Sequence, residues 1–370
     1  MDYILLMLVV SMAFYNGAND VSKGVATLCG SGLCGYRTAL SWGAVWTVAG
    51  GVAAFFLASG LFKVFSNGVI SADLNLTVNF SMSVAIGVSA WVLLATKAGM
   101  PISTTHSIVG SICGPVLLFS GSSKILWGSL GYKILIPLLL SPIAALLITV
   151  IIYKRGYGLL SGFSRHCLCI ETRENVCCAI AGDGQAAACV SQAPLAKAGT
   201  VDDCAAAPGS SLRMDFHDML HWISSALISI ARALNDTPKI VAILFASSIF
   251  AESNMKSAFL LAALFMGLGS YLKGARVTET LSKKITSMDR HDGVMANTVT
   301  ALLVVFASKF GIPVSTTHVS SGSIMGIGLK RSGSMVNKKL IYEMLLAWIV
   351  TLPAAGIISG IAYMVLNHIV

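Results

Sequence analysis

Ten runs of apolar residues, most of them about 20 long, divide this chain, and a run of that length crosses a bilayer as a helix that satisfies its own backbone. Five lie before residue 154, at about 1–30, 38–63, 79–98, 101–119 and 124–153, and five after residue 216, at about 217–250, 257–273, 293–310, 312–329 and 339–367. Only 11% of the residues are charged, where a soluble domain carries about 25%, so a soluble enzyme is excluded. The 35 glycines fit helices that pack closely in lipid. The formal charge of +9 could suggest nucleic acid, yet the basic residues sit in short loops and read as topology signals, with no nucleic-acid partner expected. The opening MDYILLMLVV has neither a basic lead nor a small-residue cleavage site, which favours a retained helix over a signal peptide. The expected fold is an all-α polytopic protein of the cell membrane, with about ten transmembrane or re-entrant segments.

The chain is also duplicated. Asn19-Asp20-Val21-Ser22-Lys23 is answered 216 positions later by Asn235-Asp236-Thr237-Pro238-Lys239. Lys97-Ala98-Gly99-Met100-Pro101-Ile102-Ser103-Thr104-Thr105-His106 returns 212 positions on as Lys309-Phe310-Gly311-Ile312-Pro313-Val314-Ser315-Thr316-Thr317-His318. If all five segments of each repeat, 1–153 and 217–370, cross the membrane, the repeats are inverted relative to one another, as in many transporters. An outside N-terminus then places Arg37, Lys154, Arg155, Lys273, Arg276 and Lys330 in the cytosol, as the positive-inside rule prefers. The short segments 101–119 and 312–329 each follow Gly-x-Pro, so a re-entrant reading of them stays open.

This topology makes 154–216 a cytoplasmic linker rich in Cys, Ala and Gly. Cys167, Cys169, Cys177, Cys178, Cys189 and Cys204 are expected there as reduced thiols in a flexible segment, since their spacing does not match the paired Cys-x2-Cys of zinc sites. A metal or redox regulatory role is the alternative. Val277, Leu281, Ile285 and Met288 recur at helical spacing, which suits a helix lying among the lipid headgroups.

Ionisable groups inside spans are costly and mark function. Here they are Asp20, Lys23, Arg232, Asp236, Lys239 and the two motif histidines. The turn-favouring Tyr15-Asn16-Gly17-Ala18-Asn19-Asp20 predicts an unwound stretch inside the first span. Pro101 and Pro313 lead into helices whose first residues are hydroxyl-bearing, and such an N-terminus, with free amides and a favourable dipole, suits a tetrahedral oxyanion. His106 and His318 fit either structural hydrogen bonding or proton coupling. Gly110-x3-Gly114 and Gly322-x3-Gly326 are expected to seat these helices against neighbours.

Taken together, Gly17-Ala18-Asn19-Asp20, Asn235-Asp236 and the two Pro-x-Ser-Thr-Thr-His stretches resemble the inorganic phosphate transporter (PiT) family of phosphate and sulfate permeases, over both halves of the chain. The resemblance implies a secondary transporter, commonly a homodimer, that imports inorganic phosphate with sodium or protons by alternating access. It implies that Ser103, Thr104, Thr105, Ser315, Thr316 and Thr317, with Asn19 and Asn235, hold the anion, while Asp20 and Asp236 serve the coupling cation. No cofactor and no resident metal are implied.

The chain departs from the family pattern at Lys23 and Lys239, where an asparagine is common. Two aspartates, two lysines and a phosphate dianion leave about two negative charges for co-transported cations, against four without the lysines. The lysines are therefore expected to tune the charge of the site and partly replace sodium. Two carboxylates favour phosphate, whose proton they can accept, over sulfate, although a sulfate permease remains the alternative. An intramembrane hydrolase built on Ser103, His106 and Asp20 is disfavoured because the whole set is repeated, where a hydrolase needs one nucleophile and one base. A passive anion channel is the weaker transport reading. No P-loop is present to couple ATP, and no enzyme activity is expected.

Overall fold

The computed structural model describes residues 2–74, 76–163, 166–180, 186–200, 210–247, 250–283, 288–332 and 337–369. The first half contains α1 (Asp2–Asp20), α2 (Ser22–Gly30), α3 (Tyr36–Leu57), α4 (Ser59–Asn67), α5 (Val78–Ala98), α6 (Thr104–Phe119) and α7 (Ile136–Phe163). A π-helical turn, Leu130–Leu135, leads into α7. The second half contains α8 (Phe216–Phe245), α9 (Met255–Lys273), α10 (Ala275–Lys283), α11 (Arg290–Lys309), α12 (Thr316–Ser332) and α13 (Lys338–Ile369). Seven helical stretches among the described residues are long and apolar enough to cross a membrane: Asp2–Gly30, Tyr36–Leu57, Val78–Ala98, Trp127–Ser161, Met255–Lys273, Arg290–Lys309 and Lys338–His368. Phe56, Ile151 and Ile349 are each 74% exposed while Asp20, Lys23 and Arg232 are buried, an inside-out distribution that only lipid makes favourable.

Local chemistry sets the breaks. Thr77 caps α5 by accepting from Phe80 N at 3.2 Å. Gly99 and Gly311 adopt φ of 71° and 67°, left-handed positions that a side chain would strain, and they turn the chain after α5 and α11 toward α6 and α12. The expected unwinding at Asn16–Asp20 does not occur. The segment stays helical up to Val21, which keeps right-handed angles and donates to Gly17 O at 3.1 Å. Its polar side chains find partners on neighbouring elements, so the backbone has no need to open.

The contacts divide the chain into two units, Met1–Tyr153 with Ser224–Val370, and Lys154–Ile223. The first holds most of the helical residues, while the end of α7 and the start of α8 belong to the second. Within the first unit α6 crosses α13, where a Cβ at Gly110 or Gly114 would drive into the carbonyls of Leu352 and Gly356. Reciprocally, α12 crosses α7, with Gly322 and Gly326 against the carbonyls of Pro142 and Leu146. Each motif helix thus packs on the last long helix of the other repeat, through the small residues the sequence predicted.

Three further expectations are corrected. Val277 and Leu281 do not face headgroups: both are buried, and Leu281 packs with Ala26, Met288, Ala296 and Ile324, because α10 lies along α2. Ile285 lies outside the described residues. The segment expected as a flexible linker is structured in part. It holds a three-stranded antiparallel sheet in the order β2-β1-β3, with β1 (His166–Ile180), β2 (Ala186–Thr200) and β3 (Ser210–Asp215). The pairing of β1 with β2 runs in unbroken register from His166–Thr200 to Ile180–Ala186. Cys167 is disulfide-bonded, so the expectation of six free thiols fails there.

Candidate functional site

Two helix starts and two helix middles meet in the core of the first unit. The non-helical stretches 100–103 and 312–315 end at Ser103 and Ser315, whose hydroxyls cap α6 and α12 by accepting from His106 N at 3.2 Å and His318 N at 3.3 Å. The serines are thus engaged with their own helices. The next threonines tie the repeats together: Thr105 Oγ1 donates to Val314 O at 3.2 Å, and Thr317 Oγ1 donates to Ile102 O at 2.5 Å. These are corresponding atoms of the two motifs, so the contact is reciprocal.

Asn19 on α1 and Asn235 on α8 hold the motif stretches from behind. Asn19 Nδ2 donates to Met100 O at 3.0 Å and Thr96 Oγ1 at 3.1 Å, while its carbonyl accepts from Ile102 N at 3.3 Å. Asn235 Nδ2 donates to Val314 O at 3.1 Å and Asp236 Oδ1 at 2.9 Å, and its carbonyl accepts from Ser308 Oγ at 3.4 Å. Both amides act here on the protein's own loops.

One turn on, the charges are paired along each helix. Lys23 forms an ion pair with Asp20, and Lys239 lies 3.2 Å from Asp236. Asp20 Oδ2 also accepts from Thr316 Oγ1 at 3.4 Å, and Asp236 Oδ2 from Asn16 Nδ2 at 3.3 Å, so each aspartate reaches across to the other repeat. Asn16 donates as well to Thr104 Oγ1 at 3.0 Å. Every one of the twelve residues expected at the site is buried to within 3% of full enclosure, and all converge on this one region. A dry, low-dielectric surround strengthens each pairing and penalises any charge left alone.

Several participants escaped the sequence reading as partners. Asn16 and Arg232 occupy corresponding positions 216 apart but differ in type, so identity between the repeats does not expose them. Arg232 is fully enclosed; its Nη2 donates to Thr47 Oγ1 and, at 2.9 Å, to Ser270 Oγ, which in turn donates to Gly17 O at 3.1 Å. Thr96 and Ser308 sit one residue before the matched Lys97 and Lys309, and that shared hydroxyl chemistry was readable. The histidines meet at the junction with ring centroids 4.9 Å apart. His106 Nδ1 lies 2.7 Å from Ser103 Oγ, and His318 Nδ1 lies 3.1 Å from Leu138 O with its ring on Trp348. Thr96 also lines a cavity of about 640 Å³ together with Tyr15, Lys97, Lys273 and Arg276, which gives the polar core a basic neighbour.

The comparisons with known proteins point the same way. Over 97% of its length the chain is 26% identical to 95% of a Pyrococcus furiosus protein named a phosphate permease. Over 99% of its length it is 25% identical to 78% of a Mycobacterium tuberculosis protein named a low-affinity inorganic phosphate transporter. A solved structure described as the sodium-dependent phosphate transporter shares the fold, with a TM-score of 0.77 and 22% identity over 100% of this chain and 99% of that one. The model of the phosphate transporter family (PHO4) matches residues 16–359, a stretch that holds both motif pairs and every charged residue of the core. This multi-pass membrane protein therefore belongs to the phosphate transporter family, a family of transporters and not of enzymes.

Proposed function

We propose that this chain is a secondary active transporter that imports inorganic phosphate together with a cation, a proton or sodium, by alternating access. The observation that carries the reading is the reciprocal meeting of two Ser-Thr-Thr helix starts, the second bonded to Asp20 of the other repeat through Thr316 and the first linked to Asp236 through Asn16, which donates to both Thr104 and Asp236. Helix N-termini favour anions through their free amides and dipoles. Ser103, Thr104, Thr105, Ser315, Thr316 and Thr317 would supply hydroxyls to the anion, with Asn19 and Asn235 setting the loops that present them. Asp20 and Asp236 would serve the coupling cation and accept the phosphate proton. That proton distinguishes phosphate from sulfate, the substrate of the alternative reading.

In the geometry described, Thr105 and Thr317 donate to carbonyls, so admitting an anion requires those two bonds to open and the hydroxyls to turn. Opening one at a time would expose the site to one side and then the other. The cavity lined by Lys97, Lys273 and Arg276 supports the approach of an anion from the side where those cations lie. Inverted repeats, a homodimer, an outside N-terminus and a cytoplasmic 154–216 segment complete the proposal. Histidines 106 and 318, with partners already in place, fit structural support of the junction.

The test is uptake of radiolabelled phosphate and sulfate into proteoliposomes under an imposed proton gradient and, separately, a sodium gradient. Saturable phosphate uptake driven by either gradient is the expected result. Preference for sulfate would make this a sulfate permease, and unsaturable flux that ignores both gradients would make it a channel.

A further inference from the structure

The charge count of the core changes once Arg232 is included. Two carboxylates, Asp20 and Asp236, are enclosed with three basic side chains, Lys23, Lys239 and Arg232, so the formal count of the buried cluster is +1 before any ion enters. The surroundings of Lys239 are more specific still. Its ammonium lies 3.2 Å from a carboxylate oxygen of Asp236, 2.7 Å from the hydroxyl of Thr105 and 3.2 Å from the carbonyl of Val314. Carboxylate, hydroxyl and carbonyl are the mixed oxygen set that a hard cation takes. The ring of Phe65, 5.8 Å from the same nitrogen, adds a cation–π contact. The cage draws on both repeats, Thr105 from the first and Asp236 with Val314 from the second. Lys23, on α2, forms the corresponding ion pair with Asp20, whose other oxygen takes the hydroxyl of Thr316.

We infer that Lys23 and Lys239 are tethered cations that fill the positions a co-transported sodium ion would take, so that phosphate binds this protein without sodium. The inference rests on the phosphate-carrier reading and narrows it. An ammonium on a side chain neutralises charge but cannot leave on the far side of the membrane, so it contributes nothing to energetic coupling. The proton then remains as the driving ion. Sodium would also have to displace a covalently held cation from a fully enclosed site, at the cost of leaving that charge unpaired.

The experiment is the affinity of the purified full-length protein for radiolabelled inorganic phosphate in sodium chloride and in choline chloride at equal ionic strength and pH. A sodium-coupled site ties the two ligands together, and typical coupling tightens binding by about 5- to 150-fold. The expected ratio is near one, and a tightening by sodium of about fivefold or more overturns the inference. The double variant K23N/K239N, checked for folding by its elution as a single species, is expected to gain a sodium dependence of at least about fivefold. A folded double variant that binds phosphate with no sodium effect also overturns the inference; if the variant does not fold, the comparison of salts on the unaltered protein decides. Sodium-dependent binding leaves the phosphate reading standing, whereas no phosphate binding in either salt removes that reading and the inference with it.

Discussion

Lys239, Asn16 and Asn235 hold Asp236, and Lys23 and Thr316 hold Asp20, all of them enclosed. Asp20→Ala or Asp236→Ala is expected to abolish coupled phosphate uptake while the protein still reaches the membrane, as checked by uptake beside membrane-fraction blotting; normal rates in both would remove the aspartates from the site. The threonines give a finer test because only one of the reciprocal pair touches a charge. Thr105 takes a bond from Lys239 as well as donating to Val314, whereas Thr317 donates to Ile102 O. Thr105→Val is expected to cost about 1.5–3 kcal/mol and Thr317→Val about 0.5–1.5 kcal/mol, measured by denaturant unfolding. Equal losses would show that the lysine contact adds no stability. The identities of Asn19, Asp20, Asn235 and Asp236 were readable because each occurs twice with its neighbours. The bridging of Asn16 to Asp236 was not, since it joins residues 220 apart that no repeat relates.

Among the elements, each of the ten hydrophobic runs is found as helix, because hydropathy over about 20 residues is a strong signal in lipid. Failures arose where a local rule met tertiary contacts. Turn-favouring residues at 16–20 stayed helical because their side chains are satisfied across the repeats, and the stripe on α10 met protein in place of headgroups. The sheet between the repeats was missed since a composition rich in Ala, Gly and Cys gives a weak strand signal. The glycine crossings were predicted and offer a direct test. Gly110→Ala and Gly322→Ala each place a methyl group against a backbone carbonyl and are expected to cost about 1–3 kcal/mol. Gly158→Ala on α7, where no atom lies within 4 Å of the added carbon, is expected to be neutral or to stabilise by about 0.5–1 kcal/mol. Thermal unfolding of the three variants is the measurement, and a comparable loss at Gly158 would trace the effect to backbone freedom and not to close approach.

For the molecule as a whole, the orientation proposed from the basic loops is open to a simple experiment. A protease site inserted between residues 200 and 210 is expected to be cut in inside-out vesicles and spared in intact cells. Cutting in intact cells would reverse the topology. If the proton is the driving ion, phosphate uptake is expected to rise as the external pH is lowered, in choline as in sodium, and a flat pH profile would argue against proton coupling. The cross-repeat bonds from Thr105 and Thr317 end on the backbone oxygens of Val314 and Ile102, and every residue type has such an oxygen. A lock of that kind is indifferent to which side chain stands at the receiving position. The side chains at Ile102 and Val314 can therefore change without breaking these two bonds, so the two copies of the duplicated motif need not stay identical at the positions that receive them.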